Sequence, residues 1–511
     1  MPEGAALSNK IRLHYTGLSI FFSKVFSVLT GFIFVLMITR QLAEYDFGVW
    51  QNIGDVIVYL TLFSTVLPPW VLRYVSRGYD GAPMTGFVTN LAMAIPFTIA
   101  CAVLSPFFGK IAGTNPAYFV LASVQVFQLH LIPLLEHVAT SKKPHLLAYD
   151  IVLHEILKIA VGMLLVVYLK MGLVGAILSV IAANTADICL FLAILGSEFH
   201  ARPRWDYLKP WFKTSTLSIY SMIGGRIVSL DMMLLILFGG ALVRALYGAA
   251  YTITILITYT GTLAYGLYPR LLSGGGGADV EASIKLTTIF AVPSLIGVIT
   301  IAHPLLVILN PSYESAYPIL YILSIVAFLG CYSSIFDSVI TGTEKVDTRP
   351  EFTIKDLARS RLFILPTLGY VQAVLGLPIL YLIFDRVTHA DLHIGLLCAA
   401  MHLSFGIAFA AARFKISRRC LRFHFPLRTF LTSLAASAAM SAFLIFAKIP
   451  GRISYVFLFI TLGGAIYFTV VTIIDSETRM LLFRIATNFR RLLSRSDGIN
   501  VQSNSHHRNK R

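Results

Sequence analysis

Between residues 14 and 474 the chain repeats one device: an apolar run of about 20 residues, closed by a short polar break. Each run is long enough to cross the hydrocarbon core of a bilayer as an α-helix. The chain is 57% hydrophobic and only 13% charged, with a mean hydropathy of +0.76. No water-soluble fold of 511 residues buries that much apolar surface behind so few charges. The fold class is therefore an all-α integral membrane protein, with about 14 transmembrane helices read from the sequence. The expected spans are 14–38, 47–67, 86–108, 116–138, 146–169, 171–195, 215–238, 241–267, 283–305, 318–340, 362–384, 391–412, 427–447 and 453–474. The first run is too long for the core of a signal peptide and lacks a small-residue cleavage site, so it reads as a retained span.

The basic residues orient these spans. With the N-terminus in the cytoplasm, 31 of the 41 Lys and Arg fall on the inside and 7 outside, with Arg244 counted in an outer turn. Lys24, Lys158 and Arg226 remain within spans. This is the positive-inside bias of a multi-pass plasma-membrane protein with both termini cytoplasmic. The net charge of +16 is thus topological and no sign of nucleic-acid binding, even at "RFKISRRCLRFHFPLR" (413–428). The tail "RMLLFRIATNFRRLLSRSDG" (479–498) sets Leu481, Leu482, Ile485, Phe489 and Leu492 at helical spacing with arginines beside them, the pattern of a helix lying on anionic membrane lipid.

Two turns echo each other. "LMITRQLAEYDFGVWQNIG" (36–54) and "LILFGGALVRALYGAAYTIT" (235–254) both join two apolar runs and both pass through an aromatic-Gly pair, at Gly48 and Gly248. Lys24 precedes Gly48 by 24 positions and Arg226 precedes Gly248 by 22, so a mid-span cation recurs at nearly one depth. Six spans separate the copies, so the halves are parallel repeats. The division read from this is a six-helix bundle over 1–195, a cytoplasmic linker over 196–214, a second bundle over 215–412, two further spans over 413–476 and a basic tail over 477–511.

"ITRQLAEYDFGVWQ" and "LPPWVLRYVSRG", with "ALYGAAYTITILI" and "GLYPRLLSG" in the second half, resemble the polysaccharide-transporter branch of the MOP flippase superfamily. The resemblance implies two six-helix bundles in a V around a central cavity, two added C-terminal helices, and alternating access. It also implies the cargo: lipid-linked sugars carried from the cytoplasmic to the outer leaflet.

Charges at mid-bilayer cost about 2.5–3.5 kcal/mol each on insertion scales, so each needs a partner or a task. Lys24, Arg226 and Lys158 present positive charge where a diphosphate head group must leave water, and are the candidate cargo-binding residues. Asp55, Glu155 and Asp187 are candidates for coupling to H⁺ or Na⁺, or for counter-ions; Lys24 is within reach of Asp55, and Lys158 of Glu155 or Asp187. Asp231, five positions beyond Arg226 on the same helix and about 140° round it, is a poor partner for that arginine. Tyr251, Thr254, Thr258 and Thr262 form a hydroxyl stripe suited to helix–helix contact. Pro96, Pro133, Pro293 and Pro366 interrupt spans and are candidate bending points. Asp337 and Glu136 lie near span ends and read as interfacial.

The expected partners are a polyprenyl-diphosphate-linked sugar, membrane lipids and a coupling ion, with no nucleic acid, no cofactor and a monomeric chain. The five cysteines form no CxxC pair or Cys/His cluster, so no metal site is expected. No P-loop, Gly-x-Ser-x-Gly or carboxylate-rich catalytic loop is present, which argues against an enzyme. The competing readings are a multidrug or cation exporter of the same superfamily and a flippase of the peptidoglycan lipid precursor.

Overall fold

The computed structural model describes residues 3–272, 274–344, 360–386, 392–447 and 449–480. The expected amphipathic tail helix and most of the 341–361 loop lie outside them. Among the described residues twelve helices are long and apolar enough to cross a membrane, thirteen if the bent pair Glu44–Leu60 and Leu62–Ser76 is one span.

Close packing groups the chain into two units, 1–252 with 306–322 and 344–405, and 253–305 with 323–343 and 406–511. In chain order the helices are α1 (Glu3–Gln41), α2 (Glu44–Leu60), α3 (Pro68–Ser76), α4 (Ala82–Val103), α5 (Ser105–Ala112), α6 (Ala117–Lys142), α7 (Leu146–Gly162) and α8 (Gly172–Leu195). There follow α9 (Leu208–Thr214), α10 (Thr216–Val228), α11 (Leu230–Thr258), α12 (Leu267–Leu272), α13 (Gly277–Thr300), α14 (Ala302–Leu309) and α15 (Tyr317–Gly342). The last four are α16 (Ile364–Arg386), α17 (Leu392–Cys420), α18 (Leu427–Phe446) and α19 (Ile453–Ile474).

The first unit starts from α1, whose end at Gln41 is followed within three residues by α2. Glu44 and Asp46 sit in the first turn of α2, where carboxylates complement the helix dipole. Beyond Thr61 the chain bends by 57° into α3, which opens on Pro68, a residue whose fixed φ and missing N–H suit a helix start. Helices α1, α7, α8, α6 and α4 pack in that order, each against the next. Lipid tails are as apolar as leucine, so such helices are held by close packing and interhelical hydrogen bonds rather than by escape from water.

The segment expected as a linker, 196–214, is folded onto this unit. Its Trp211 and Tyr207 are buried in one core with Val66, Leu67, Leu134 and Phe191. Trp70 Nε1 donates to Ser215 Oγ at 2.7 Å just beyond the linker.

Helix α11 contains a backbone break at Gly240, where φ is 70° and ψ −178°. Asp231 and Tyr247, on either side of it, both reach His402, the first by a hydrogen bond and the second ring to ring at 6.5 Å. A straight helix would hold residues 16 apart about 24 Å from each other. The chain therefore doubles back at Gly240, and the 47-residue apolar segment Ser218–Ala264 makes two passes rather than one. Left-handed φ there demands a residue without Cβ.

In the second unit α13 packs on α18 and α18 on α19. Its core joins Leu267, Val280, Ile284, Tyr332, Phe336 and Phe423, and Tyr467 Oη donates to the Ile289 carbonyl at 2.7 Å. Pro96, Pro133 and Pro293 lie inside helices. Pro366 does not interrupt its span: it falls in the first turn of α16, where no intrahelical N–H is lost, and Pro378 is the internal proline. Two members of the hydroxyl stripe are bonded locally. Thr258 donates to the Thr254 carbonyl and Thr262 to the Tyr259 carbonyl, each bonded to its own helix.

Candidate functional site

The first unit carries two polar clusters inside its apolar packing. The first lies on α2, α10, α11 and α17. Helix α2 turns Asn52, Asp55 and Tyr59 to one side at i, i+3 and i+7. Asp55 meets Arg244 of α11 through two parallel bonds, Nε to Oδ2 at 2.8 Å and Nη2 to Oδ1 at 2.9 Å. This is the fork-on-carboxylate geometry that only arginine offers. Arg244 is 6% exposed.

That pairing corrects two expectations. Arg244 does not lie in an outer turn, because the chain has already reversed at Gly240 and residue 244 belongs to the next pass. Asp55 is not the partner of Lys24, which is exposed. The lysine expected from its similar depth gives way to a guanidinium that approaches Asp55 with two donors.

Asp231, at the start of α11, is 1% exposed and accepts from His402 Nε2 of α17. Both carboxylates near Arg226 are therefore engaged by other residues. Arg226 itself, near the end of α10, is half-buried, and its Nε is shielded from solvent with no hydrogen-bond partner among the described residues. Tyr59 lies in the combined field of Asp231, Asp55 and Arg226. Its hydroxyl too is buried without a hydrogen-bond partner among the described residues. Tyr59 and Asn52 are the polar residues lining a cavity of about 330 Å³ whose other walls include Val56, Phe108, Leu230 and Met233. Arg226 thus shares its electrostatic surroundings with Tyr59, one of the residues lining the apolar chamber.

The second cluster ties α1 to α7 and α8. Glu155 is 5% exposed and accepts from Ser27 at 2.8 Å, Thr30 at 2.8 Å and Lys158 Nζ at 2.9 Å. Lys158 also stands over the Phe34 ring at 5.5 Å. Of the two partners expected for Lys158, the structure selects Glu155. Asp187 of α8 instead takes His154 at 2.7 Å. Asp150, 4% exposed, lies in the field of Asp187, and one oxygen of each carboxyl has no hydrogen-bond partner among the described residues. Glu136 lies in the field of Asp187, His154 and Lys24. In the second unit Asp337 is bound by Arg413 at 2.8 Å, so it serves as a counter-ion between α15 and α17.

Among the described residues no group of three or more His, Cys, Asp or Glu could hold a metal ion. No protein-family model and no curated protein sequence matches the chain. Solved structures do match. The lipid II flippase MurJ in its inward closed conformation superposes with a TM-score of 0.66 at 12% identity, over 91% of this chain and 99% of that one. The chain shares the fold of that flippase.

A multidrug resistance MATE transporter of the MOP superfamily, in its inward-facing conformation, matches with a TM-score of 0.54 at 14% identity, over 76% of this chain and 96% of its own. A MOP superfamily transporter from Pyrococcus furiosus, whose reversed binding-pocket polarity suggests a different function, gives 0.51 at 14% identity over 80% and 95%. Three proteins of similar fold thus carry different functional descriptions, and the choice among them falls to the side chains.

Sequence reasoning missed Arg244, His402 and Arg413. Arg244 carried a readable signal, since a turn through the Gly239–Gly240 pair leaves Arg244 four residues into the following helix. His402 and Arg413 are joined to their aspartates across 171 and 76 residues, and no local pattern announces either.

Proposed function

We propose that the protein is a flippase that moves a polyprenyl-diphosphate-linked oligosaccharide from the cytoplasmic to the outer leaflet by alternating access, for cell-surface glycan synthesis. It does so in the plasma membrane with both termini in the cytoplasm. The observation that carries this reading is Arg226: a half-buried guanidinium with an open Nε, next to carboxylates that Arg244 and His402 already hold. A cationic drug would find no free acid in this cluster. A diphosphate would find a donor suited to bidentate contact with its oxygens.

Lys24, exposed on α1, supplies a second positive charge for the head group. Lys158, neutralised by Glu155, holds α7 near α1 and contributes less to the cargo. The apolar cavity beside Tyr59 suits the non-polar part of an amphipathic lipid at the point where its head is bound. The Asp150–Asp187–His154 group, rather than Asp55 or Glu155, is our candidate for ion coupling, because its carboxyls retain unpartnered oxygens.

The MurJ likeness favours one second reading, in which the cargo is the peptidoglycan lipid precursor. Both cargoes are diphosphate lipids, and Arg226 serves either.

The test is transbilayer movement of a fluorescent polyprenyl-diphosphate oligosaccharide in proteoliposomes. Wild type is expected to move it, Arg226→Ala to lose movement while remaining folded, and Arg226→Lys to keep part of it. Export of a cationic dye by wild type, with no movement of the diphosphate lipid, overturns the reading.

A further inference from the structure

The basic segment 413–428 is more than a carrier of topological charge. Helix α17 ends at Cys420 and α18 begins at Leu427, so the connection between them lies at the membrane surface, on the face the basic-residue bias assigns to the cytoplasm. The connection is firmly held. Phe423 is 2% exposed and packs against Phe336 and Phe414 at 6.3 and 6.1 Å between ring centres. The backbone N–H of His424 donates to the Glu281 carboxylate at 2.8 Å, and the His424 ring meets the same oxygen at 3.2 Å.

Around this fixed turn opens a crevice of about 650 Å³, walled by Lys415, Arg418, Arg419 and Arg422 with Phe414 and Phe423 at its base. Lys415, Arg418 and Arg419 follow i, i+3 and i+4 spacing on one face of α17, and Arg422 lies two residues beyond the helix end, in the turn to α18. All four are exposed, and none has an acidic partner among the described residues. The acids close by are spent elsewhere: Glu281 on His424, and Asp337 on Arg413. Arg418 is further placed over the Phe414 ring at 5.8 Å. The end of a helix favours cations, but four around one crevice repel one another unless an anion joins them.

We propose that this crevice binds the phosphate head group of an anionic lipid of the cytoplasmic leaflet. Guanidinium groups recognise phosphate through paired N–H donors. The crevice lies where a lipid places its phosphate, between the ends of two spans, with Leu427 and Arg428 exposed beside it. The phosphate can belong to a bulk anionic phospholipid or to a polyprenyl-diphosphate carrier, and the experiment separates the two. The site is independent of Arg226, on another helix and in the other packed unit.

The full chain in phosphatidylcholine nanodiscs is titrated with phosphatidylglycerol and, separately, with a polyprenyl diphosphate, and retained lipid is read by native mass spectrometry. The proposal expects Arg418→Gln/Arg419→Gln/Arg422→Gln to weaken retention of at least one of them by roughly tenfold or more. The matching Lys variants keep most of it. Loss confined to phosphatidylglycerol assigns the site to bulk lipid, and loss confined to the diphosphate assigns it to the carrier. Because removing three charges can disturb insertion, a second measurement uses wild type alone: inorganic pyrophosphate in detergent displaces the retained lipid. Unchanged retention in the Gln variant, or wild type untouched by pyrophosphate, overturns the proposal.

Discussion

Asp55 and Arg244 clasp α2 to α11 by two parallel N–H···O bonds of 2.8 and 2.9 Å, across 189 residues of sequence. Both groups are largely removed from water, so each compensates the other's desolvation. Removing one partner of a buried pair costs about 3–5 kcal/mol, whereas replacing both by apolar residues is often neutral. Asp55→Ala and Arg244→Ala are each expected to lower the thermal midpoint in detergent sharply, and Asp55→Leu/Arg244→Met to recover most of it. A double variant as unstable as the singles would show that the clasp does more than balance charge.

Gly48, two turns earlier on α2, has no room for a side chain, because a Cβ there would fall on the Ala241 carbonyl. That neighbour is backbone and cannot swing aside. Gly48→Ala is therefore expected to reduce the monodisperse fraction in size-exclusion chromatography. Gly54→Ala is the control: it meets nothing within 4 Å and removes a helix-weakening glycine worth about 0.5–1 kcal/mol. Equal behaviour of the two would contradict the close approach of α2 to the turn at Gly240.

Lys158 was expected either to touch cargo or to balance a carboxylate, and its 2.9 Å contact with Glu155 places it in the second role. Lys158→Met alone leaves Glu155 with only Ser27 and Thr30, and is expected to cost several-fold in folded yield and in transport. Lys158→Met/Glu155→Met should restore both. Restored yield with transport still lost would return Lys158 to the cargo site.

Asp150 and Asp187 each keep one carboxyl oxygen without a hydrogen-bond partner among the described residues, and His154 attends the second. If this group couples transport to an ion, Asp187→Asn abolishes acceleration by an imposed ion gradient while cargo binding persists. Proteoliposomes with H⁺ or Na⁺ gradients of either sign read this directly. Gradient-driven transport unaffected by the substitution would remove the group from the coupling scheme.

Much of the fold is written in local pattern. The final spans expected at 427–447 and 453–474 are the helices Leu427–Phe446 and Ile453–Ile474, because apolar length alone delimits a membrane helix. The hairpin at Gly240 was legible as well, from a Gly pair between two apolar runs. The site was legible only in its members. Lys24, Arg226, Lys158, Asp55, Glu155 and Asp187 stand out as charges within apolar runs, but who pairs with whom is decided by helix packing. Asp55 passes over Lys24 for Arg244, and Asp231 finds His402 on α17. The linker misled for a related reason. Polar and proline-containing, 196–214 reads as a free connection, yet two buried aromatics, Tyr207 and Trp211, anchor it.

The central claim is that Arg226 holds an anionic head group, and equilibrium binding tests it without the complications of transport. Binding of polyprenyl diphosphate to the purified chain would be measured for wild type, Arg226→Ala and Arg226→Lys. Hydrogen bonds to charged groups contribute about 1.5–3 kcal/mol, so Arg226→Ala should weaken binding by roughly ten- to a hundredfold, with Arg226→Lys between the two. Equal affinity of wild type and Arg226→Ala for the diphosphate would contradict the account.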